Sequence, residues 1–502
     1  MNAPFRGEIP GHAELDVAII GAGFSGLCMA IQLRKAGYTN FRIYEKASDL
    51  GGTWRDNIYP GCACDVPSHL YSFSFEQNPQ WSRHYSQQDE IWRYMQRCAD
   101  KYAVRSHMRF DAAVTEARYD ETAQIWRLTL KTGESVTARA VVCGVGLLHV
   151  PAFPNIAGLD TFRGRAFHSS QWDASYDLAG KRVGVIGTGA SAIQIVPAIA
   201  DKVKELHLFQ RTPSWILPRL DRPFSTRTQR LFRNMPALQR LFRHFIYWAM
   251  EARALGFLGH PGMMKQMEAI ARSFLEKSIA DPKLRAALTP NYMMGCKRIL
   301  VSDDFYAAFA RPNVSLVTEA IDKAVPEGIV TADGRLHELD ALIYATGFRT
   351  REPLAEIAVQ GRAGHLLSQD WHEGAEAYYG IAAAGYPNFF FLLGPNTGLG
   401  HNSVVFMIEA QARYTLKCLN WLFREGAGAV EVRDDVQRAF NERLKAEMHR
   451  TVWQSGCQSW YLNANGTNST IWPGYTVSYW WQTHRTRKQD FTIRPVPAHV
   501  AV

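Results

Sequence analysis

The chain has 502 residues, 47% of them hydrophobic and 21% charged, with a formal net charge of +9. That length exceeds one ordinary core, so two or three domains are expected, and the composition excludes a disordered or fibrous chain. The excess of 56 basic over 47 acidic residues is modest, and no basic run is dense enough to mark a nucleic-acid binder.

The first residues, MNAPFRGEIPGHAELD, lack the apolar core of a signal peptide. Residues 16–20 form an apolar run that ends in Gly21-Ala22-Gly23-Phe24-Ser25-Gly26. Residues 27–36 read as a helix, and residues 41–45 as a strand that ends on Glu45. A β-α-β unit is the context such a glycine motif needs. Residues 51–76 read as ordered loop, 104–130 as a small antiparallel excursion and 138–146 as a buried strand. Pro151 and Pro154 mark the first domain boundary.

A second unit follows. Residues 181–186 feed Gly187-Thr188-Gly189-Ala190-Ser191-Ala192, residues 191–200 form its helix, and residues 203–209 deliver Gln210-Arg211-Thr212. Glu45 and Arg211 stand the same distance beyond the first glycine of their loops. A carboxylate there accepts hydrogen bonds from a bare ribose, whereas an arginine pairs with a 2′-phosphate. FAD and NADPH are the simplest pair of ligands, and the fold class is α/β with two Rossmann-like dinucleotide-binding domains.

The strand pattern stops at residue 223 and resumes near 288. Leu231, Met235, Leu238, Phe242, Phe245, Ile246 and Ala249 recur at helical spacing, interrupted near Pro236. Arg227, Arg230, Arg233, Arg240 and Arg243 are interleaved. A basic amphipathic helix can lie on a membrane. A helical subdomain covering a cleft is the commoner outcome, so membrane contact is not expected. Strand character returns at 314–317, 341–344 and 388–393; the last run is too short to span a bilayer. Gly394-Pro395-Asn396-Thr397 then leads into a helix from about Ser403 to Arg424. Its positive end either faces the pyrimidine side of a flavin or is an ordinary capped terminus. The expected division is 1–150 and 387–502 for the FAD domain, 151–222 and 293–386 for the NADPH domain, and 223–292 for a helical insertion in the second.

The eight cysteines, Cys28, Cys62, Cys64, Cys98, Cys143, Cys296, Cys418 and Cys457, are scattered. That pattern suits free thiols in a reducing cytoplasm. Cys62 and Cys64 have no second pair at zinc-ligand spacing, so no metal site is expected.

Between the two units runs Phe162-Arg163-Gly164-Arg165-Ala166-Phe167-His168-Ser169-Ser170-Gln171-Trp172-Asp173. With Phe162, Gly164, His168, Trp172 and Asp173 at its fixed positions, it resembles the fingerprint of type I Baeyer–Villiger monooxygenases, which are class B flavoprotein monooxygenases. Related flavin-containing and N-hydroxylating enzymes share its start but usually lack the Trp-Asp ending. The resemblance runs from the first glycine loop to Ser459-Trp460-Tyr461. It implies a flavin-side site of Gly52, Thr53, Trp54, Asp65 and Tyr71. It implies an NADPH site of Thr188, Ala190, Ser191, Gln194, Arg211, Thr212 and Lys297, with Trp460 closing over the nicotinamide. One departure is Cys143-Gly144-Val145-Gly146, where many members have Ala-Thr-Gly; small residues are kept at the crossing.

The chemistry implied is hydride transfer from NADPH to FAD, formation of a flavin peroxide from dioxygen, and its attack on a ketone to give an ester or lactone. Sulfoxidation is an expected side activity. The peroxide and the adduct both carry negative charge in a site with little water, which calls for a fixed cation. The resemblance assigns Arg298 to that role and Asp65 to orienting it. Without it, the two read as a surface charge and a turn residue. His168 reads as a hydrogen-bonded linker residue rather than an acid–base catalyst. Competing readings are an oxygenase of nitrogen or sulfur alone, a disulfide reductase, for which a CxxC pair is missing, and a non-catalytic nucleotide sensor.

Overall fold

The structure is a computed structural model and describes residues 13–497; residues 1–12, which include most of the leader-like stretch discussed above, lie outside the described residues. The first unit opens with β1 (Leu15–Ile20), α1 (Phe24–Lys35) and β2 (Phe41–Tyr44). It continues through α2 (Thr53–Asp56) and α3 (Gln88–Lys101) to β3 (Met108–Arg109), β4 (Val114–Asp120), β5 (Ile125–Leu130) and β6 (Ser135–Cys143). Val17, Ala18, Ile19 and Ile20 are all buried, as befits a central parallel strand covered on both faces. β1 pairs in parallel with β2 and β6, and β4, β5 and β6 form the expected antiparallel excursion.

The second unit contains β7 (Arg165–His168), β8 (Arg182–Ile186), α4 (Ala192–Ile199) and β9 (Glu205–Phe209). Its chain then leaves through β10 (Ile216–Leu217) into five helices: α5 (Thr226–Asn234), α6 (Pro236–Ala252), α7 (Ala254–Phe257), α8 (Pro261–Ser278) and α9 (Pro282–Ala287). Three of these start on a proline, whose fixed φ and missing N–H suit a first helical turn. The break between α5 and α6 falls at Met235-Pro236, where the sequence pattern was interrupted. The chain re-enters by β11 (Leu300–Val301), which pairs with β10. Next come α10 (Phe305–Ala308) and β12 (Val314–Val317), a three-stranded meander of β13 (Ile321–Val325), β14 (Gly328–Thr331) and β15 (Leu336–Glu338), and then β16 (Ala341–Tyr344). The second sheet is wholly parallel, in the order β12-β9-β8-β16-β7.

The return to the first unit is earlier than residue 387. β17 (Ala358–Gln360) already pairs in parallel with β4 at the edge of the first sheet. α11 (Leu367–Asp370) and β18 (Phe389–Phe391) follow, with β18 set against the C-terminal half of β6. The three residues of β17 are too short to read as a strand, and their partner lies far away in sequence, which is why the sequence boundary fell late. α12 (Val404–Phe423) then packs on α1. β19 (Ala427–Val432), α13 (Asp434–Met448), α14 (Thr476–His484) and β20 (Phe491–Pro495) complete the described chain. Among the described residues no helix is long and apolar enough to cross a membrane.

Candidate active site

Both glycine loops lie at the carboxyl ends of strands, at the point where the strand order reverses; open α/β sheets bind ligands there. The two are built alike. In the first unit Gly21 has φ +95°, and a Cβ on it would come within 2.9 Å of the Gly144 carbonyl oxygen. In the second Gly187 has φ +111°, and a Cβ would come within 2.5 Å of the Ala345 carbonyl oxygen. Each first glycine is pressed by the backbone leaving the neighbouring strand. The middle glycines differ: a Cβ on Gly23 would meet only the Gly52 Cα at 3.9 Å, and one on Gly189 would meet nothing. Each loop therefore keeps an open space where a pyrophosphate needs close backbone approach. Neither α1 nor α4 has a side-chain cap, so their first amides remain free for an anion.

The residues that answer the two loops are held differently. Glu45 is buried; its Oε2 accepts from the Ala22 amide at 2.8 Å, and its Oε1 from the Ala47 amide at 3.1 Å and from Arg55 at 3.0 Å. Arg211 is exposed. Among the described residues neither it nor Lys297 has a carboxylate partner, and Lys297 lies over the Tyr292 ring at 4.7 Å. Partial burial lowers the Lys297 pKa, and the positive charge of Arg211 lowers it further. Two neighbouring cations with no protein anion between them fit a bound phosphate. Thr212 offers its carbonyl to the Thr188 hydroxyl at 2.7 Å, which ties this corner to the second glycine loop.

Flavin-side residues cluster as well. Phe24, at the start of α1, meets the Tyr71 and Phe73 rings edge-on at 5.3 Å. The Trp54 indole donates to the Tyr71 hydroxyl at 3.1 Å. Gly52 takes a positive φ of +52° beside Gly23, and Thr53 opens α2 just after it.

Arg298 and Asp65 come from different units, and the structure brings them together. Arg298 Nε donates to Asp65 Oδ2 at 3.1 Å and a terminal nitrogen donates to the same oxygen at 2.5 Å. Both side chains are about one third exposed, 34% and 28%, so they reach an open space from a packed base. The Asp65 carboxylate raises the Arg298 pKa still further, so the guanidinium is permanently charged. Tyr461 lies beside this pair. Burial pushes its phenol up to about 12, Arg298 pulls it the other way, and its buried hydroxyl makes no hydrogen bond among the described residues. An open apolar cavity of about 480 Å³ lies at the unit crossing, with Leu147, Trp371, Phe391, Leu393 and Pro395 among its walls. Its wall residue Thr350 donates to the Trp460 carbonyl, and Thr470 donates to the Tyr461 carbonyl.

The sequence profile of the flavin-binding monooxygenase-like family matches residues 14–364. A Baeyer–Villiger monooxygenase of Pseudomonas aeruginosa is 49% identical over 92% of this chain and 88% of its own. One from Streptomyces coelicolor is 46% identical over 97% of this chain and 95% of its own. Among solved structures, that of OTEMO in complex with FAD and NADP superposes with a TM-score of 0.88 at 30% identity, over 96% of this chain and 100% of that one. The chain belongs to the flavin-binding monooxygenase-like family, among its Baeyer–Villiger members. The closed crystal structure of cyclohexanone monooxygenase also superposes with a TM-score of 0.88, at 28% identity over 97% of this chain.

In this Baeyer–Villiger chain the fingerprint is a linker clamp. His168 is wholly buried; its Nε2 donates to the Gly347 carbonyl at 2.9 Å, and its Nδ1 accepts from the Ser170 amide at 3.1 Å. Those partners define the tautomer, and burial lowers the His168 pKa, so the ring stays neutral. Gly347 also accepts from the Ala152 amide at 2.9 Å, so one histidine binds the outgoing and returning linkers together. Gly164 leaves no room for a Cβ, which would lie 2.4 Å from the Phe162 ring. Trp172 packs edge-on against Phe167 at 5.0 Å, and Asp173 pairs with Arg165 at 2.6 Å.

Three expectations change. Gln194 is not free for a ligand: its amide accepts from Tyr59 at 3.0 Å and donates to the Ala63 carbonyl at 3.0 Å, which pegs α4 to the first unit. Cys296 and Cys457 are not free thiols but form a disulfide that ties the Lys297–Arg298 segment to the one carrying Trp460. Arg243 is buried and donates to the His69 and Leu70 carbonyls and to Ser72, so it braces the loop between Asp65 and Tyr71. Trp460 itself is 38% exposed and lies 4.2 Å from the Tyr461 ring.

Sequence reasoning missed Arg55 and Glu251. The buried Glu251 carboxylate, on α6, accepts from Asn402 and Thr476 at 2.7 Å and from the Val477 amide at 3.0 Å. It thereby joins the insertion to the loop before α12 and to the start of α14. The α12 terminus is capped by its own Ser403, which accepts from the Val405 amide. Burial pushes the Cys62 thiol up to about 12 and the Cys64 thiol upward too, so neither supplies a thiolate for disulfide exchange.

Proposed function

We propose that the chain is an FAD- and NADPH-dependent Baeyer–Villiger monooxygenase that inserts one oxygen atom of dioxygen beside a ketone carbonyl to give an ester or lactone. The observation that carries this reading is the Arg298–Asp65 pair, a fixed cation reaching from the second unit into the first. The named relatives and the FAD and NADP in the OTEMO structure support it. The first glycine loop and Glu45 hold the FAD pyrophosphate and ribose. The second loop holds NADPH, with Arg211 and Lys297 on its 2′-phosphate. FAD, once reduced by NADPH, supplies the electrons that activate dioxygen.

Arg298 holds negative charge on the reacting oxygens in a region of low water content, where a preorganised cation is worth most. Asp65 aims the guanidinium and keeps it from swinging toward solvent. Tyr461 keeps its proton and directs a hydroxyl into the same space. The apolar cavity walls exclude water and hold the ketone. His168 takes no proton; it maintains the linker geometry as the units shift. With NADPH as reductant, the reading places the chain in the cytoplasm.

The test is NADPH consumption by the purified yellow protein with and without linear, cyclic and aryl ketones and a sulfide, with product identification. Ester or lactone formed in step with NADPH supports the reading. Oxidation of sulfur or nitrogen compounds alone moves the chain to the heteroatom oxygenases.

A further inference from the structure

The helical insertion carries an unusual charge pattern. From Arg222 to Met250 the chain has no Asp or Glu. Arg227, Arg230, Arg233 and Arg240 are exposed, and among the described residues none of them is ion-paired, although arginines elsewhere on the surface pair with carboxylates. Beside them α6 turns an apolar stripe outward: Leu241, Phe245 and Trp248 are 65%, 69% and 55% exposed. Their spacing puts all three on one helix face. α14 abuts this helix, since Tyr247 bonds Thr476 at 3.0 Å and Glu251 accepts from the Val477 amide. It adds Trp481, 59% exposed, with Arg485 over its ring.

Solvent does not explain such a face, because Phe and Trp at helical spacing leave apolar area in water. A second copy of the same face is opposed by charge: a two-fold contact would bring unpaired arginines together with no acid to meet them. A nucleic acid would leave the apolar stripe without a function. An anionic bilayer surface satisfies both halves, with arginines on phosphates and tryptophans at the headgroup level. We propose that α5 and α6, with the start of α14, seat on an anionic lipid surface. Leu241, Phe245 and Trp248 enter the headgroup boundary, and the four arginines pair with lipid phosphates. The helix lies on the membrane and does not cross it. Arg243 and Glu251 link the seated helix to the loops at 69–72 and 402, so lipid contact acts on the same framework that carries the site.

The experiment is co-sedimentation of the full-length, FAD-loaded protein with phosphatidylcholine vesicles with and without phosphatidylglycerol, at low and high salt. Binding that requires phosphatidylglycerol and weakens with salt is expected. Replacing Arg230 and Arg240 by Ala lowers the partition about 25-fold, each arginine being worth about fivefold. Leu241→Ser with Phe245→Ser and Trp248→Ser lowers it as well. Flavin absorbance and sedimentation velocity show that these surface variants are folded. Absence of binding to phosphatidylglycerol vesicles at low salt overturns the proposal, as does equal binding by wild type and both variants. A dimer abolished by Trp248→Ser would instead assign the face to a second copy.

Discussion

The two glycine loops share a backbone and differ in their surroundings. The first is largely buried, and its carboxylate already has amides and Arg55 as partners. The second has Gly189 and Ala190 in solvent, and its cations, Arg211 and Lys297, are without a counter-ion among the described residues. A pre-satisfied, enclosed site suits a ligand that stays; an exposed site with unpaired cations suits one that exchanges. The same β-α-β frame thus serves a resident cofactor in one unit and a consumed one in the other.

The sharpest way to break this comparison is at Glu45. Glu45→Ala removes the ribose acceptor and strands Arg55, which is only 13% exposed, without its partner. Breaking such a buried pair costs about 3–5 kcal/mol. We expect colourless protein with a much lower melting temperature; a yellow, stable variant would sink the resident-site reading. Next in size is Arg298→Ala, for which losing a preorganised donor costs about 10²–10³ in turnover. Ester formation should fall by that factor while flavin content is kept. Arg298→Lys should stay impaired, because an ammonium cannot reproduce the aimed guanidinium contacts with Asp65.

Much of this was legible in the sequence where the physics is local. The glycine loops are short-range demands for positive φ and close approach, and strands β12 and β16 fall on the residues the pattern marked. The fingerprint was legible as a linker, and the structure gives its histidine two linker partners. Illegible were features whose two halves are far apart. Arg243 reads as one more arginine on a basic face until His69 and Ser72 appear around it, and Cys296 meets a partner 161 residues away. β17 is defined by pairing with β4 and has no pattern of its own.

The exchanging site is tested by Arg211→Ala. A charged contact to phosphate worth about 1.5–3 kcal/mol predicts a rise in the NADPH KM of roughly 10- to 150-fold, with kcat on saturating NADPH little changed. A pH series sharpens it. Lys297 is charged below its lowered pKa and loses its charge as pH rises through that value, so the NADPH KM should climb on the alkaline side. Removing Arg211 takes away one cause of the lowering, so the climb should move to higher pH. A climb that stays in place would mean that the two cations do not share a phosphate.

The smallest expected effect lies between the halves, at His168. Its ring is neutral and buried, with a pKa below the ordinary value of about 6.5 that it regains on unfolding. On acidification the unfolded chain therefore takes up a proton that the folded chain refuses. His168 contributes nothing to the pH dependence well above 6.5, and it lowers stability as pH falls from there toward its folded value. The slope for one such proton is about 1.4 kcal/mol per pH unit. His168→Gln should keep turnover within several-fold, since it takes no part in proton transfer, and should flatten the melting temperature against pH on the acid side by about that one proton. Flavin fluorescence melts of both proteins across this range measure it. Unchanged slopes would mean that the folded histidine is charged, which the Gly347 carbonyl and the Ser170 amide, one acceptor and one donor, do not allow together.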